Sequence, residues 1–289
     1  MQTIRLNLII GVFVCFAATA FAADVRLPDK AVAGQGTVIG TSGSSDATLY
    51  IVGPGTAIKK QVKLGEKIQL KGDELRHAGY YQIAIKGSDA DVSKELYVAP
   101  AAPEKVNFLA RPSRVPVGQP KVITGTAFVF DQYENLVVAP TPVVFELSVP
   151  GSAPKIERAM TKNGVAYLQT GSGKKAGPGQ FVVKIGDNSV RRVVEETASE
   201  PCNLRFKAHQ EKEGLIVETD PVSDCSGNAV PDGTIVTFIS AEPGKGRSTV
   251  DARVKKGIAR AVLPPVPGAT ISVASGVVLG NEVRWGGGE

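Results

Sequence analysis

Apolar and polar residues alternate in short runs along most of the chain. Residues 47–52 and 66–71 read as strands. In a later run Tyr81, Ile83 and Ile85 share one parity and are predicted to face inward, with 96–98 as the next strand. Further on, Val143, Phe145 and Leu147 fall on one face, and Val236 and Phe238 repeat the first two positions of that pattern. Residues 181–185 and 270–273 are late β-branched or aromatic runs. Gly and Pro punctuate these runs, 32 and 19 of them in 289 residues. Many short strands with frequent turns predict an all-β protein.

The chain repeats itself at an offset of 224 − 131 = 93 residues. Without a gap, Asp131 matches Asp224, Asn135 matches Asn228, Val143 matches Val236 and Phe145 matches Phe238. Pro150-Gly151 matches Pro243-Gly244, and Gly164 matches Gly257. There are 12 identities over the 36 positions from Asp131 to Ala166, against about two for unrelated sequence. Asp131…Asn135 and Asp224…Asn228 precede strands and suit turns, because their side chains bond nearby backbone. Asn163-Gly164 lies between strand-like runs ending at Met160 and starting at Val165, a hairpin signal. Gly171–Gly179 reads as a long hairpin loop. Modules of this size with about seven strands read as β-sandwiches.

The run Asp224-Cys-Ser-Gly-Asn228, then Val230-Pro-Asp-Gly233, then Val236-Thr-Phe238 and Gly257-Ile-Ala259, resembles bacterial immunoglobulin-like domains of the invasin/intimin type. The middle module departs from it, with Glu134 for Gly and Ala139-Pro140 for Asp-Gly. The resemblance covers residues 103–289. It implies tandem immunoglobulin-like sandwiches in an elongated string and a structural or adhesive role. Gly79-x-Tyr81 resembles the tyrosine corner of such domains. Proteins of that type carry a membrane barrel and a terminal recognition domain, and neither is seen here, so surface attachment is expected to need a partner.

The first 22 residues read as a secretory signal peptide. Arg5 precedes an apolar run from Leu8 to Ala18, and Ala20 and Ala22 give the small-x-small spacing for cleavage between Ala22 and Ala23. The run is shorter than the roughly 20 residues that span a bilayer, and no later run is long enough. The expected organisation is a signal peptide over 1–22, a free arm over 23–35, and sandwiches over 36–99, 103–196 and 201–289. Residues 99–103 and 195–201 are the linkers.

Export gives the cysteines their meaning. Cys202 and Cys225 remain after cleavage, and a lone pair in an exported chain points to a disulfide. Its loop of about 24 residues is worth roughly 3 kcal/mol. A metal or redox pair would want CxxC or a histidine at ligand spacing beside both cysteines, and neither is present. The net charge after cleavage is 32 − 28 = +4, spread in pairs not interleaved with aromatics, so nucleic-acid binding is not expected.

No catalytic residue is assigned. His77 and His209 are the only histidines, and no G-x-S-x-G motif accompanies them. Asp89/Asp91 and Glu195/Glu196 are paired carboxylates by adjacency alone. No cofactor and no metal site is expected. The predicted function is an exported, non-enzymatic adhesion-type protein that binds a protein partner, located in the periplasm or at the cell surface. The alternatives are a periplasmic accessory subunit, with the 23–35 arm donating a strand, and a carbohydrate-binding module.

Overall fold

In a computed structural model, residues 24–88 and 90–286 are described. The expected signal peptide and the Ala22–Ala23 cleavage point lie outside them. Two units are compact, Met1–Ala101 and Ala102–Glu289. Among the described residues the sole helical element is a 3-10 turn over Gly72–Leu75, where Lys71 N–H donates to Glu74 Oε2 at 2.8 Å.

The described residues of the first unit form β1 Val25–Arg26, β2 Ala31–Val32, β3 Thr37–Thr41, β4 Asp46–Gly53, β5 Thr56–Lys63, β6 Ile68–Leu70, β7 Gly79–Gly87 and β8 Asp91–Ala99. They form a three-stranded sheet β1-β3-β6 and a five-stranded sheet β2-β8-β7-β4-β5, with β2 parallel to β8. Tyr81, Ile83 and Ile85 face inward as their parity predicts and pack with Leu49, Ile51, Leu96 and Val98. The Tyr81 hydroxyl donates to the His77 carbonyl at 2.9 Å, which is the tyrosine corner. Gly53 makes room for that ring. A Cβ there would sit 2.3 Å from Tyr81 Cδ1.

The segment expected as a free arm is built into this sandwich. Val25 pairs with Thr41 and Ala31 with Val98, and Val25, Ala31 and Ala33 are buried. Each of its strands has two residues, too few to display a period, and the partners are distant in sequence, Gly40 and Thr41 for one and Val98 and Ala99 for the other. β1 and β2 pair within the chain as edge strands, so the segment is not a free arm, and the donated-strand expectation that needs one falls with it.

The second unit begins with β9 Lys105–Arg111, β10 Arg114–Pro116, β11 Ile123–Phe130, β12 Pro142–Ser148, β13 Lys155–Met160, β14 Val165–Thr170, β15 Gly177–Ile185 and β16 Asn188–Thr197. Its sheets, β9-β11-β14 and β10-β16-β15-β12-β13 with β10 parallel to β16, repeat the topology of the first unit. Gly79 and Gly177 open equivalent strands at the same φ of 141°. Phe108, Phe145 and Phe181 meet in the core, the Phe108–Phe181 pair edge-on at 5.0 Å. Gly125 lies against this cluster, where a Cβ would come within 2.8 Å of the Phe181 ring.

The third sandwich comprises β17 Pro201–Cys202, β18 Phe206–Glu211, β19 Gly214–Thr219, β20 Ser223–Asp224, β21 Ile235–Ala241, β22 Arg247–Arg253, β23 Arg260–Leu263, β24 Thr270–Ser275 and β25 Val278–Arg284. The sheets are β18-β19-β23, β22-β21-β24-β25 and the small pair β17-β20. A two-residue turn joins β18 directly to β19, so no strand equivalent to β10 intervenes.

The 93-residue repeat holds in register. Phe145 pairs with Glu157 and Phe238 with Val250, the same step in both copies. Both phenylalanines are fully buried. Asn163-Gly164 and Lys256-Gly257 form the expected tight turns with positive φ. Each closes as a two-residue hairpin turn on a single antiparallel bridge, Lys162 with Val165 and Lys255 with Ile258, and the strands beyond diverge into different sheets (β13 to β14, β22 to β23). The Gly171–Gly179 stretch likewise crosses between sheets and is not a hairpin loop. Turn chemistry is local, whereas the sheet each flanking strand joins is decided by distant partners. The 195–201 linker is shorter than expected, because β16 runs to Thr197.

Substitution of Phe145 or Phe238 by Ala is expected to cost about 3–5 kcal/mol. Chemical denaturation followed by circular dichroism measures it, and a loss below about 1 kcal/mol would contradict the core assignment.

Candidate functional site

The candidate site contains no catalytic cluster. It consists of a joint between the second and third sandwiches and an aromatic sheet face on the first.

The joint grows from a buried carboxylate. Asp131 and Asp224 are both buried in their turns. A buried carboxylate must be surrounded by donors. Asp131 Oδ1 accepts from the N–H groups of Tyr133 and Asn135, each at 2.9 Å, and Oδ2 accepts from Asn135 Nδ2 at 2.8 Å. Asp224 Oδ1 accepts from Ser226 and Asn228 N–H at 2.8 and 2.9 Å, and Oδ2 from Asn228 Nδ2 at 2.9 Å. Burial pushes the Asp224 carboxyl up. The Asn228 amide and the backbone N–H groups of Asn228, Ser199 and Ser226 outweigh it and hold it below the usual aspartate value.

The second of these turns also reaches the neighbouring sandwich. Asn228 Oδ1 accepts from Ala176 N–H and Asn228 Nδ2 donates to the Lys174 carbonyl, both at 2.8 Å. Asp224 Oδ2 accepts from the N–H of Ser199 in the connecting segment at 3.1 Å. Cys202 and Cys225 are joined as a disulfide, with Cα atoms 4.9 Å apart, tying that segment to the same turn. A groove of about 500 Å³ runs beside it, lined by Pro116, Gln119, Glu200, Pro201, Pro231 and Thr234 among others.

Glu196 supports the joint from within the second sandwich. Its residue is 1% exposed, and Oε2 accepts from Gly173 N–H at 2.7 Å. Oε1 meets no donor among the described residues. Burial pushes this carboxyl above the ordinary glutamate value, opposed by the Gly173 N–H and the Lys155 charge. Gly173 leads directly to Lys174 and Ala176, so this carboxyl anchors the loop that meets Asn228.

The aromatic face belongs to the five-stranded sheet β2-β8-β7-β4-β5. Its outward positions carry Tyr80 (68% exposed), Val52 (56%), Tyr97 (43%) and Tyr50 (36%). The Tyr80 and Tyr97 rings lie 5.1 Å apart, and Lys59 Nζ sits 5.8 Å from the Tyr50 ring centre.

Beside the two Asp–Asn turns, the structure brings together Cys202 and Cys225 of the residues singled out in the sequence. Glu195 is half-buried and Glu196 buried, on opposite faces of β16, so they form no carboxylate pair. Asp91 pairs with Lys86, and Asp89 lies outside the described residues. His209 bonds Glu211 at 2.9 Å, and Glu211 also pairs with Arg260 at 3.1 Å. Among the described residues no group of three His, Cys, Asp or Glu could hold a metal ion, and no helix is long and apolar enough to cross a membrane. Sequence reasoning passed over Asn228 as a joint residue and the three outward tyrosines. Parity gives the tyrosines away, since each sits beside an inward-facing residue of its strand.

The sequence matches no protein-family model and no curated protein. The fold is similar to that of FdeC, an Escherichia coli adhesin, at 15% identity and a TM-score of 0.61, covering 94% of this chain and 99% of that one. It is similar to InvD of Yersinia pseudotuberculosis at 11% identity and a TM-score of 0.54, covering 93% and 99%. Invasin, a bacterial integrin-binding protein, aligns at 12% identity with a TM-score of 0.51 over 91% of this chain and 59% of that one. At such identities the likeness is one of fold. The sandwiches have the immunoglobulin-like fold that these solved adhesins also have.

Asn228→Ala is expected to loosen the joint while leaving both sandwiches folded. Faster proteolysis at residues 198–200 and a broader small-angle scattering distance distribution would register it. Unchanged proteolysis and scattering would remove Asn228 from the joint.

Glu196 and Asp224 respond to pH in opposite senses. Glu196 has a raised folded value, so the folded chain holds this proton more tightly than the unfolded chain. Its contribution is full below the ordinary glutamate value and is lost as pH rises through the folded value. Asp224 has a depressed folded value, so its contribution is present above the ordinary value and lost on acidification. Glu196→Gln keeps an acceptor for Gly173 and is expected to raise stability at neutral pH. The gain should close toward acid, as read from denaturation midpoints between about pH 4 and about pH 8.

Proposed function

We propose that this chain is exported, cleaved between Ala22 and Ala23, and acts as a non-enzymatic adhesion-type protein that binds a protein partner through its tandem immunoglobulin-like domains. The observation that carries this reading is the joint. Asn228 crosses from one sandwich to the next with two 2.8 Å hydrogen bonds, and the Cys202–Cys225 bridge ties the connecting segment to the same turn. A chain that only needed separate binding modules would gain little from stiffening the segment between them. A spacer that holds a binding surface at a set distance requires it. The adhesin fold of the solved neighbours supports the same reading. The disulfide supports an oxidising compartment. We place the domain limits near residues 24–99, 103–196 and 201–286, and attachment to the surface through a partner.

Protease shaving of intact cells tests this. Loss of the protein from intact cells is the expected result. Protection until the envelope is permeabilised would place the chain in the periplasm and overturn the surface reading in favour of an accessory subunit.

A further inference from the structure

The outer faces of the three equivalent sheets differ in chemistry. In the second sandwich that face carries the Glu146–Lys184 ion pair at 2.8 Å together with Arg158 and Arg191. In the third it carries Thr237 bonded to Asp251 at 2.6 Å, with Arg253 alongside. The second face also exposes Ile156, Met160 and Val193, and the third Ile235, but neither carries an exposed aromatic ring. In the first sandwich the same face holds Tyr50, Val52, Tyr80 and Tyr97, half of the chain's six tyrosines among them. Exposed tyrosines, each an apolar ring with a polar tip, are enriched at the centres of protein interfaces.

Register lays this face out as a grid. Tyr50 stands opposite Lys59 on one side and Ala84 on the other, and Ala84 opposite Ser93. In the next row Val52 stands between Ala57 and Gln82, and Gln82 opposite Glu95. Beyond them Tyr80 faces Tyr97, beside the Pro54-Gly55 turn. Within these rows the two charges lie at opposite ends. Lys59 is on β5, at one side of the sheet, and Glu95 is on β8. In these two rows the central strands β4 and β7 carry none; Asp46 and Lys86 lie outside them toward the other end of the sheet, Lys86 paired with Asp91.

We propose that a second copy of this chain packs on this face about a twofold axis running along the strands between β4 and β7. That operation places β5 of one copy over β8 of the other, so Lys59 meets Glu95 at both ends of the interface. It sets the bulky Tyr50 over the small Ala84 and Ser93, and Tyr80 and Tyr97 over the Pro54-Gly55 turn. A twofold axis across the strands would instead put β5 on β5 and Lys59 near its own copy, a repulsive arrangement. A self-associating patch must be complementary to itself, and this one is in both charge and size. Sheets packed face to face in this way align their strands within about 30° and stand about 10 Å apart.

Analytical ultracentrifugation of the purified chain tests the proposal. A concentration-dependent dimer is expected. Lys59→Glu or Glu95→Lys alone should weaken it by about tenfold or more, and the double swap should restore it. Val52→Asp should abolish it, with circular dichroism and thermal melting confirming that each variant folds. Three results would overturn the inference: a chain that stays monomeric up to about 1 mM, a dimer indifferent to Val52→Asp, or a double swap that fails to rescue. A face that takes a glycan or a different protein leaves the chain monomeric and falls under the first. The spacer reading can stand without this dimer, because surface location and self-association are measured separately.

Discussion

A carboxylate buried at the mouth of a turn sets the geometry of the two C-terminal sandwiches. Asp131 and Asp224 lose their water on folding, and an unpaired buried charge would cost several kcal/mol. The backbone must therefore bring the N–H groups of residues two and four positions on back to one oxygen. That demand fixes the turn, and the turn fixes where the following strand enters its sheet. Asn135 and Asn228 complete the donor set and repeat at the same offset as the aspartates. In the third sandwich the same asparagine has an oxygen and a second N–H left over, and these reach Ala176 and Lys174. A local solution to burying charge thereby becomes the connection between two domains.

The sandwiches share one plan and differ in how they fill it. Two residues after Gly79 stands Tyr81, whose hydroxyl closes the corner on His77. Two residues after Gly177 stands Gly179, with no side chain, and Glu196 brings its carboxyl near that point, Oε1 lying 3.8 Å from where a Cβ would be. The second sandwich thus places an acid where the first has a phenol. The acid holds Gly173 and with it the loop that meets Asn228. The third sandwich omits the short parallel strand of the other two. Trp285, half-buried, packs against its core near the end of the described chain.

Much of this was legible in one dimension. The repeat placed Phe145 and Phe238 in equivalent buried positions, and parity placed Tyr81, Ile83 and Ile85 inside. The Gly-x-Tyr spacing pointed to the corner. The failures have a common cause. Residues 23–35 showed no period because each strand there is two residues long and is stabilised by Thr41, Gly40, Val98 and Ala99. Asn163-Gly164 closes the hairpin turn its sequence predicts, but over one bridge only, because a turn does not specify which sheet its second strand joins. Glu195 and Glu196 look alike as neighbours, yet strand alternation turns one outward, half-buried, and the other into the core.

By itself, the sequence determined what depends on neighbours along the chain: strand periodicity, turns that accept positive φ, the carboxylate–amide turn and the repeat. These follow from backbone sterics and from side chains that bond within a few residues. The tertiary structure decided what depends on pairing across long separations. It decided which sheet each strand enters and that the apparent arm is a pair of strands. It decided that Asn228 reaches the next domain, that Glu196 is buried with one unsatisfied oxygen, and that Tyr50, Tyr80 and Tyr97 share one open face. Such placements arise only when strands distant in sequence are brought side by side, because only then does a residue's environment consist of atoms its own segment does not supply.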